Sequence, residues 1–132
     1  MSYAELSRDE RLSAEESPDG RDQWETVCVF RVLKPGQCRE GEVVAIFPEV
    51  IHAAHRTELC GAYMHVGQHF PVSPYAMIEA TRPATPAEYE GLRKELEQPS
   101  PGFGYRLKIQ QRISRKNHEN RRRECDRLRR MQ

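Results

Sequence analysis

The chain has 132 residues, 37% of them hydrophobic and 31% charged, which suits one small folded domain with polar extensions and excludes a wholly disordered chain. Its net charge of +1 conceals a division: residues 1–104 hold 10 Lys/Arg against 17 Asp/Glu, whereas residues 105–132 hold 11 against 3. The longest apolar runs, such as Val43 to Phe47, are far too short to cross a bilayer, and the start MSYAELSRDE lacks the basic and apolar stretches of a signal peptide; the expectation is a cytoplasmic protein with no membrane partner.

Residues 1–22 are polar, with Tyr3, Leu6 and Leu12 too sparse to form a stripe for burial, and read as an acidic arm, helical or disordered. Trp24 to Leu33 is rich in β-branched and aromatic residues and precedes the turn at Lys34-Pro35-Gly36-Gln37, which predicts a first strand. Both of its faces are apolar at the middle, as in a central, well-covered strand. Glu42 to Phe47 predicts a second strand stopped by Pro48 and joined to the first as an antiparallel hairpin. Residues 48–58 show neither alternation nor a strong cap, and both a helical turn and a loop stay open.

Leu59 to Val66 predicts a third strand with Cys60, Ala62, Met64 and Val66 on one face and Gly61, Tyr63 and His65 on the other, ended by Gly67. Tyr75 to Thr81 predicts a fourth. Thr85-Pro86-Ala87-Glu88 then places a capping hydroxyl, a proline at the first helical position and a glutamate three residues past the cap. A helix over 86–98 follows, packing through Tyr89, Leu92 and Leu96 and stopped at Pro99-Ser100-Pro101-Gly102. Phe103 to Ile109 alternates as a half-buried strand. The sum is an α+β domain over 23–111, a mostly antiparallel sheet of four or five strands in the order β-β-β-β-α-β with one packed helix, followed by an Arg-rich helix or tail over 112–132.

That tail is where partners are expected. After Ile113 its only clearly apolar residues are Leu128 and Met131, so little burial is predicted. Arg112, Arg115, Lys116, Arg121, Arg122, Arg123, Arg127, Arg129 and Arg130 suit phosphate neutralisation, with Asn117, His118 and Asn120 as further hydrogen-bonding groups, and Arg-rich segments often order on RNA. The bland alternatives are a solvated charged helix, an acidic protein surface, or pairing with acids of the arm (Glu5, Asp9, Glu10, Glu15, Glu16) in the same chain or another copy, which would join copies into an oligomer. No helix-turn-helix, zinc-finger or RNA-binding-sheet motif is present to choose RNA or DNA.

His52, His55, Cys60, His65 and His69 concentrate zinc-type donors in one stretch. Cys60 and His65 are an odd number apart, so on a regular strand they face opposite ways; a three-ligand site from His52 or His55, with His65 and His69, survives, and a metal-assisted enzyme centred on His55, His65 and His69 is the alternative function class. The same parity separates Cys60 from its simplest base, so an inert thiol outweighs a nucleophile. Tyr63 and His65 share a face and form a possible polar site. Cys28, Cys38, Cys60 and Cys125 show no C-x-x-C pairing and read as free thiols.

At YMHVGQH (Tyr63 to His69), with VVAIFPEV (Val43 to Val50) before it and EATRPATPAEYEGLRKELE (Glu79 to Glu97) after it, the chain resembles a group of short uncharacterised bacterial proteins. The resemblance covers about residues 24–111, departs from the group's FPEI-type segment over 50–54, and implies that this centre is a domain in its own right. It brings no activity, cofactor or ligand. The functional expectation is therefore a small binding or accessory protein contacting nucleic acid or another acidic partner through its basic tail, without a required cofactor.

Overall fold

Strand β1 (Thr26–Leu33) is buried from Val27 onward, and the rest of the sheet assembles around it. A computed structural model describes residues 25–65, 69–99 and 101–131 of the protein; the predicted arm over 1–22, Trp24, Val66 at the end of the predicted third strand, and Gly67 lie outside them. Along the chain follow β2 (Val43–Ile51), β3 (Cys60–Met64), β4 (Phe70–Val72), helix α1 (Pro74–Ala80), β5 (Thr81–Pro83), helix α2 (Pro86–Glu97), β6 (Leu107–Gln110) and helix α3 (Arg115–Arg130). The α+β class is as predicted, with six strands and both sheet faces covered by helices.

The sheet order is β4-β3-β2-β1-β5, antiparallel throughout this path, and β6 pairs with β1 as well. β1 meets β2 as the predicted hairpin, with Val29 opposite Ile46 and Arg31 opposite Val44. Its other edge is divided. β6 runs parallel to the first half, Thr26 opposite Leu107 through Val29 opposite Gln110, and β5 antiparallel to the second, Arg31 opposite Pro83 through Leu33 opposite Thr81. The predicted closing strand is thus shorter than Phe103 to Ile109 and parallel to its neighbour, because α2 carries the chain back along the sheet before β6 begins.

Alternation along the strands sorts the core into two layers. Cys28, Phe30, Ala45, Phe47 and Tyr63 form one cluster with Leu92 and Leu96 of α2. Val44, Ile46, Cys60 and Ala62 form the other, with Met77 of α1 and Ile113 against it. The predicted division of β3 holds: Cys60, Ala62 and Met64 join the second cluster and Tyr63 the first. Burying Leu92 and Leu96 contributes about 1.5–3 kcal/mol each.

Two strand predictions are corrected. Pro48 does not stop β2, which continues to Ile51; the register with β3 shifts between Phe47 and Ile51, and such an irregularity accommodates a residue without an N–H. This also decides the open segment, whose first residues extend the strand before turns lead to β3. Tyr75 to Thr81 is not a strand: residues 74–80 form α1, capped by Ser73, whose hydroxyl accepts from the Ala76 amide at 3.4 Å, with Pro74 in the first turn. Only Thr81 to Pro83 is extended.

The predicted capping box of α2 is complete, the Thr85 hydroxyl accepting from the Glu88 amide at 3.3 Å and the Glu88 carboxylate from the Thr85 amide at 2.9 Å. Arg82 also donates to Glu88, and this pairing, with the Thr85 amide bond, holds the Glu88 carboxyl down at about 2. We expect Thr85→Ala to lower unfolding stability by about 1 kcal/mol, and Leu96→Ala, which empties a fully buried site, by about 2–5 kcal/mol. Urea unfolding of both variants checks the order; equal losses would mean that α2 is held by its end rather than by its inner face.

Candidate functional site

Helix α3 begins at Ser114, whose hydroxyl accepts from the Asn117 amide at 3.2 Å while the Asn117 side chain accepts from the Ser114 amide at 2.8 Å. From there, residues four apart face the sheet: Asn117, Arg121 and Cys125 are all buried. The segment expected to bury little therefore docks, and it docks through polar groups. Asn117 and Asn120 donate to Glu49 Oε2 at 2.8 and 2.9 Å. Arg121 is only 2% exposed and donates to the carbonyls of Pro48 at 2.5 Å and Thr57 at 3.0 Å. The irregular stretch of β2 that holds Pro48 thus presents the oxygen that receives this guanidinium.

Docking divides the predicted phosphate-binding residues. Arg121 is spent inside the protein and is withdrawn from the set. On one flank lie Arg115, Glu119, Arg122, Asp126 and Arg129, where Arg115 pairs with Glu119 at 3.3 Å and Arg129 with Asp126. On the other lie Lys116, Asn120, Arg123, Arg127 and Arg130, where Glu124 is the neighbouring acid and bonds Arg127. This second flank is a stripe of four cations about 21 Å long at 1.5 Å per residue. Arg112 is exposed just before the helix, between β6 and α3. His118, expected as a hydrogen-bonding group of the tail, is engaged within the protein: its ring stacks on Tyr75 of α1 at 5.0 Å, its Nδ1 accepts from Arg121 at 3.2 Å, and burial, then Arg121 and Arg122, hold its pKa below the usual histidine range.

The histidine stretch is not gathered into one centre. His55 is exposed in the turns after β2, His65 is bonded through Nδ1 to Glu95, and His69 receives or gives a hydrogen bond at Nε2 with the Tyr105 hydroxyl at 2.8 Å. His69 also sits among Phe47, Tyr63, Phe103 and Tyr105, with centroids 4.9 to 6.1 Å away. Among the described residues no group of three His, Cys, Asp or Glu side chains is arranged to hold a metal ion. Cys60 is fully buried, and burial pushes its thiol up to about 11 against the opposing pull of Arg121, which leaves it protonated and unreactive at neutral pH.

Tyr63 and His65 do meet, through a residue the sequence reading did not select. Glu95 of α2 accepts from the Tyr63 hydroxyl at 2.5 Å on one oxygen and bonds His65 on the other. Desolvation pushes the Glu95 carboxyl up, but the Tyr63 and His65 bonds outweigh it and hold it below the usual carboxylate range. Tyr63 is raised to about 12, by burial first and by Glu95 second. With both oxygens engaged by protein groups, this triad ties α2 to the end of β3. The signal that could have found it is geometric: Tyr63 and His65 point to the face that carries α2, and Glu95 flanks the buried Leu96.

Compared with known proteins, the chain matches no protein-family model, no curated protein and no solved structure at a significant level. Its function is read from geometry.

Two outcomes follow. Arg121→Ala strands the Pro48 and Thr57 carbonyls and is expected to cost about 1–3 kcal/mol in unfolding stability, whereas Arg122→Ala, on the solvent side, stays within about 0.5 kcal/mol. For Glu95 the folded-state pKa is depressed, so its contribution is present above the unfolded carboxyl pKa of about 4.3 and is lost as pH falls through the folded value. Glu95→Gln should therefore lie below the parent in stability at pH 7 and converge with it in acid; a gap independent of pH would show that the carboxylate charge plays no part.

Proposed function

We propose that the protein is a small binding protein that holds nucleic acid through the outer flank of α3. One observation carries this reading: the helix is anchored by Asn117, Arg121 and Cys125, so Lys116, Asn120, Arg123, Arg127 and Arg130 project together from a fixed support. A helix already ordered by its own domain does not lose that conformational entropy when it binds, and its cations keep their spacing. Nucleic acid suits the stripe because its repeating phosphates match a row of guanidinium groups, each able to offer two parallel donors to one phosphate. Asn120, already bonded to Glu49, lies in the same row with the remaining capacity of its amide.

The test is binding of labelled single-stranded RNA and duplex DNA across a salt series, for the full chain and for a full chain carrying Arg123→Ala and Arg130→Ala. Log affinity is expected to fall linearly with log salt, and the slope to shrink by roughly 0.7 to 0.9 for each phosphate contact removed. Neither residue supports the core, so unfolding stability should not move. Equal slopes for the two proteins, or no binding at low salt, would remove the stripe as a phosphate site; binding of a polyglutamate probe alone would redirect the surface to an acidic protein.

A further inference from the structure

The two flanks of α3 look toward different neighbours. His118, beside the flank of Arg115, Arg122 and Arg129, stacks on Tyr75 of α1, whereas Asn120, in the row of Lys116, Arg123, Arg127 and Arg130, donates to Glu49 of β2. β1 and β2 are antiparallel, with Val29 opposite Ile46, so the start of β1 lies at the same end of the sheet as Glu49. The cation row therefore borders the sheet end at which residues 1–22 join the domain. The flank toward α1 has Glu119 and Asp126 to pair its arginines. On the cation row, the acid bonded to a cation among the described residues is Glu124, on Arg127.

Residues 1–22 carry seven Asp/Glu against three Arg, and four of the acids form the pairs Asp9-Glu10 and Glu15-Glu16. The pairs stand six residues apart, a reach of at most about 20 Å, and the row from Lys116 to Arg130 is about 21 Å long at 1.5 Å per residue. Nine residues separate Glu16 from Glu25, at most about 30 Å of chain. That tether is long enough to follow α3, which measures about 24 Å from end to end. A carboxylate offers a guanidinium the same two parallel acceptors as a phosphate. Tethering also holds the acids at an effective concentration on the order of millimolar, so a contact too weak to join separate molecules is populated within one chain.

We propose that residues 1–22 of the same chain lie along the cation row of α3 when nucleic acid is absent and leave it when nucleic acid binds. This rests on the reading of that row as a phosphate-binding surface and adds its regulation. The arm supplies to this flank the acids that Glu119 and Asp126 supply to the other. Its charge is modest, seven acids against three Arg, so it holds off single phosphates and mononucleotides and yields to a polymer with a phosphate at every step.

The experiment compares the full chain with a full chain carrying Asp9→Asn, Glu10→Gln, Glu15→Gln and Glu16→Gln, first without nucleic acid. At low salt the amide NMR resonances of Lys116, Asn120, Arg123 and Arg127 are expected to differ between the two proteins, and those of Arg115, Arg122 and Arg129 to agree. Added salt should move the parent to the variant's positions, because it screens exposed charges. Resonances of the sheet should coincide throughout, so a changed signal is not a changed fold. Labelled single-stranded RNA should bind the variant about tenfold tighter at low salt, since an occupied site lowers apparent affinity by its free fraction. In a background of Arg123→Ala and Arg130→Ala the same four substitutions should gain less than about twofold, which separates a contact with the row from a general loss of negative charge. Coinciding α3 resonances would overturn the arm contact even if RNA binds the row. Shifts that grow with protein concentration would place the arm on another copy and overturn the contact within one chain. Shifted α3 resonances with no RNA binding at low salt would keep the contact and overturn its displacement, together with the nucleic-acid reading of the row.

Discussion

A guanidinium buried against backbone carbonyls determines what this protein presents to solvent. Arg121 reaches Pro48 and Thr57 from the middle of α3, and with it the most basic segment of the chain becomes part of the fold. Transferring such a charge from water is costly, and short hydrogen bonds to carbonyl dipoles offset that cost. The same solution recurs once on the same sheet face. Arg31 of β1 donates to the Thr81 hydroxyl at 2.7 Å and to the Thr81 carbonyl at 2.8 Å, at the end of α1, and burial lowers its pKa. Lys34 bonds the Glu79 carbonyl nearby at 3.1 Å, so the last carbonyls of a short helix, its negative pole, are met by two cations. One face of the sheet is thus held by apolar packing under α2, and the other by apolar packing together with polar anchors.

Anchoring and the display of charge to solvent are consequently separate tasks of one helix. In α3 the inward positions fix orientation, and the outward flanks are free to differ from each other. One flank neutralises itself through ion pairs at three- and four-residue spacing, and the other keeps most of its charge. The asymmetry follows from where three acids fall in a sixteen-residue helix, not from its overall composition.

Much of the central domain was legible because its signals are local or periodic. The Thr85 to Glu88 box names its own helix end, and the two apolar faces of residues 24–33 require cover on both sides. What was not legible depends on partners. Ser73-Pro74 is the same kind of helix start as Thr85-Pro86, but the seven-residue run after it carries Tyr75, Ile78 and Thr81, which favour a strand, and no apolar repeat long enough to decide. The parallel pairing of β6 is set by the route of the chain over α2, which no residue in β6 encodes. The inner face of α3 was missed because it reads Asn, Arg, Cys: a stripe at the right spacing whose burial depends on oxygens of Glu49, Pro48 and Thr57, more than fifty residues away in sequence.

The sheet ends in proline at both margins. β4 has three residues with Pro71 at its centre, and at the opposite side the margin is shared by β5, which ends in Pro83, and β6, which runs the other way. A strand from another molecule needs a long uninterrupted row of amides and carbonyls to add itself to a sheet, and among the described residues each margin is short or broken, by Pro71 in β4 and where β5 and β6 part. A protein that concentrates its cations on one helix and is read here as binding a long polymer would sit at high local density beside its neighbours on that polymer. Margins that resist strand addition let such neighbours lie close together without knitting into a continuous sheet.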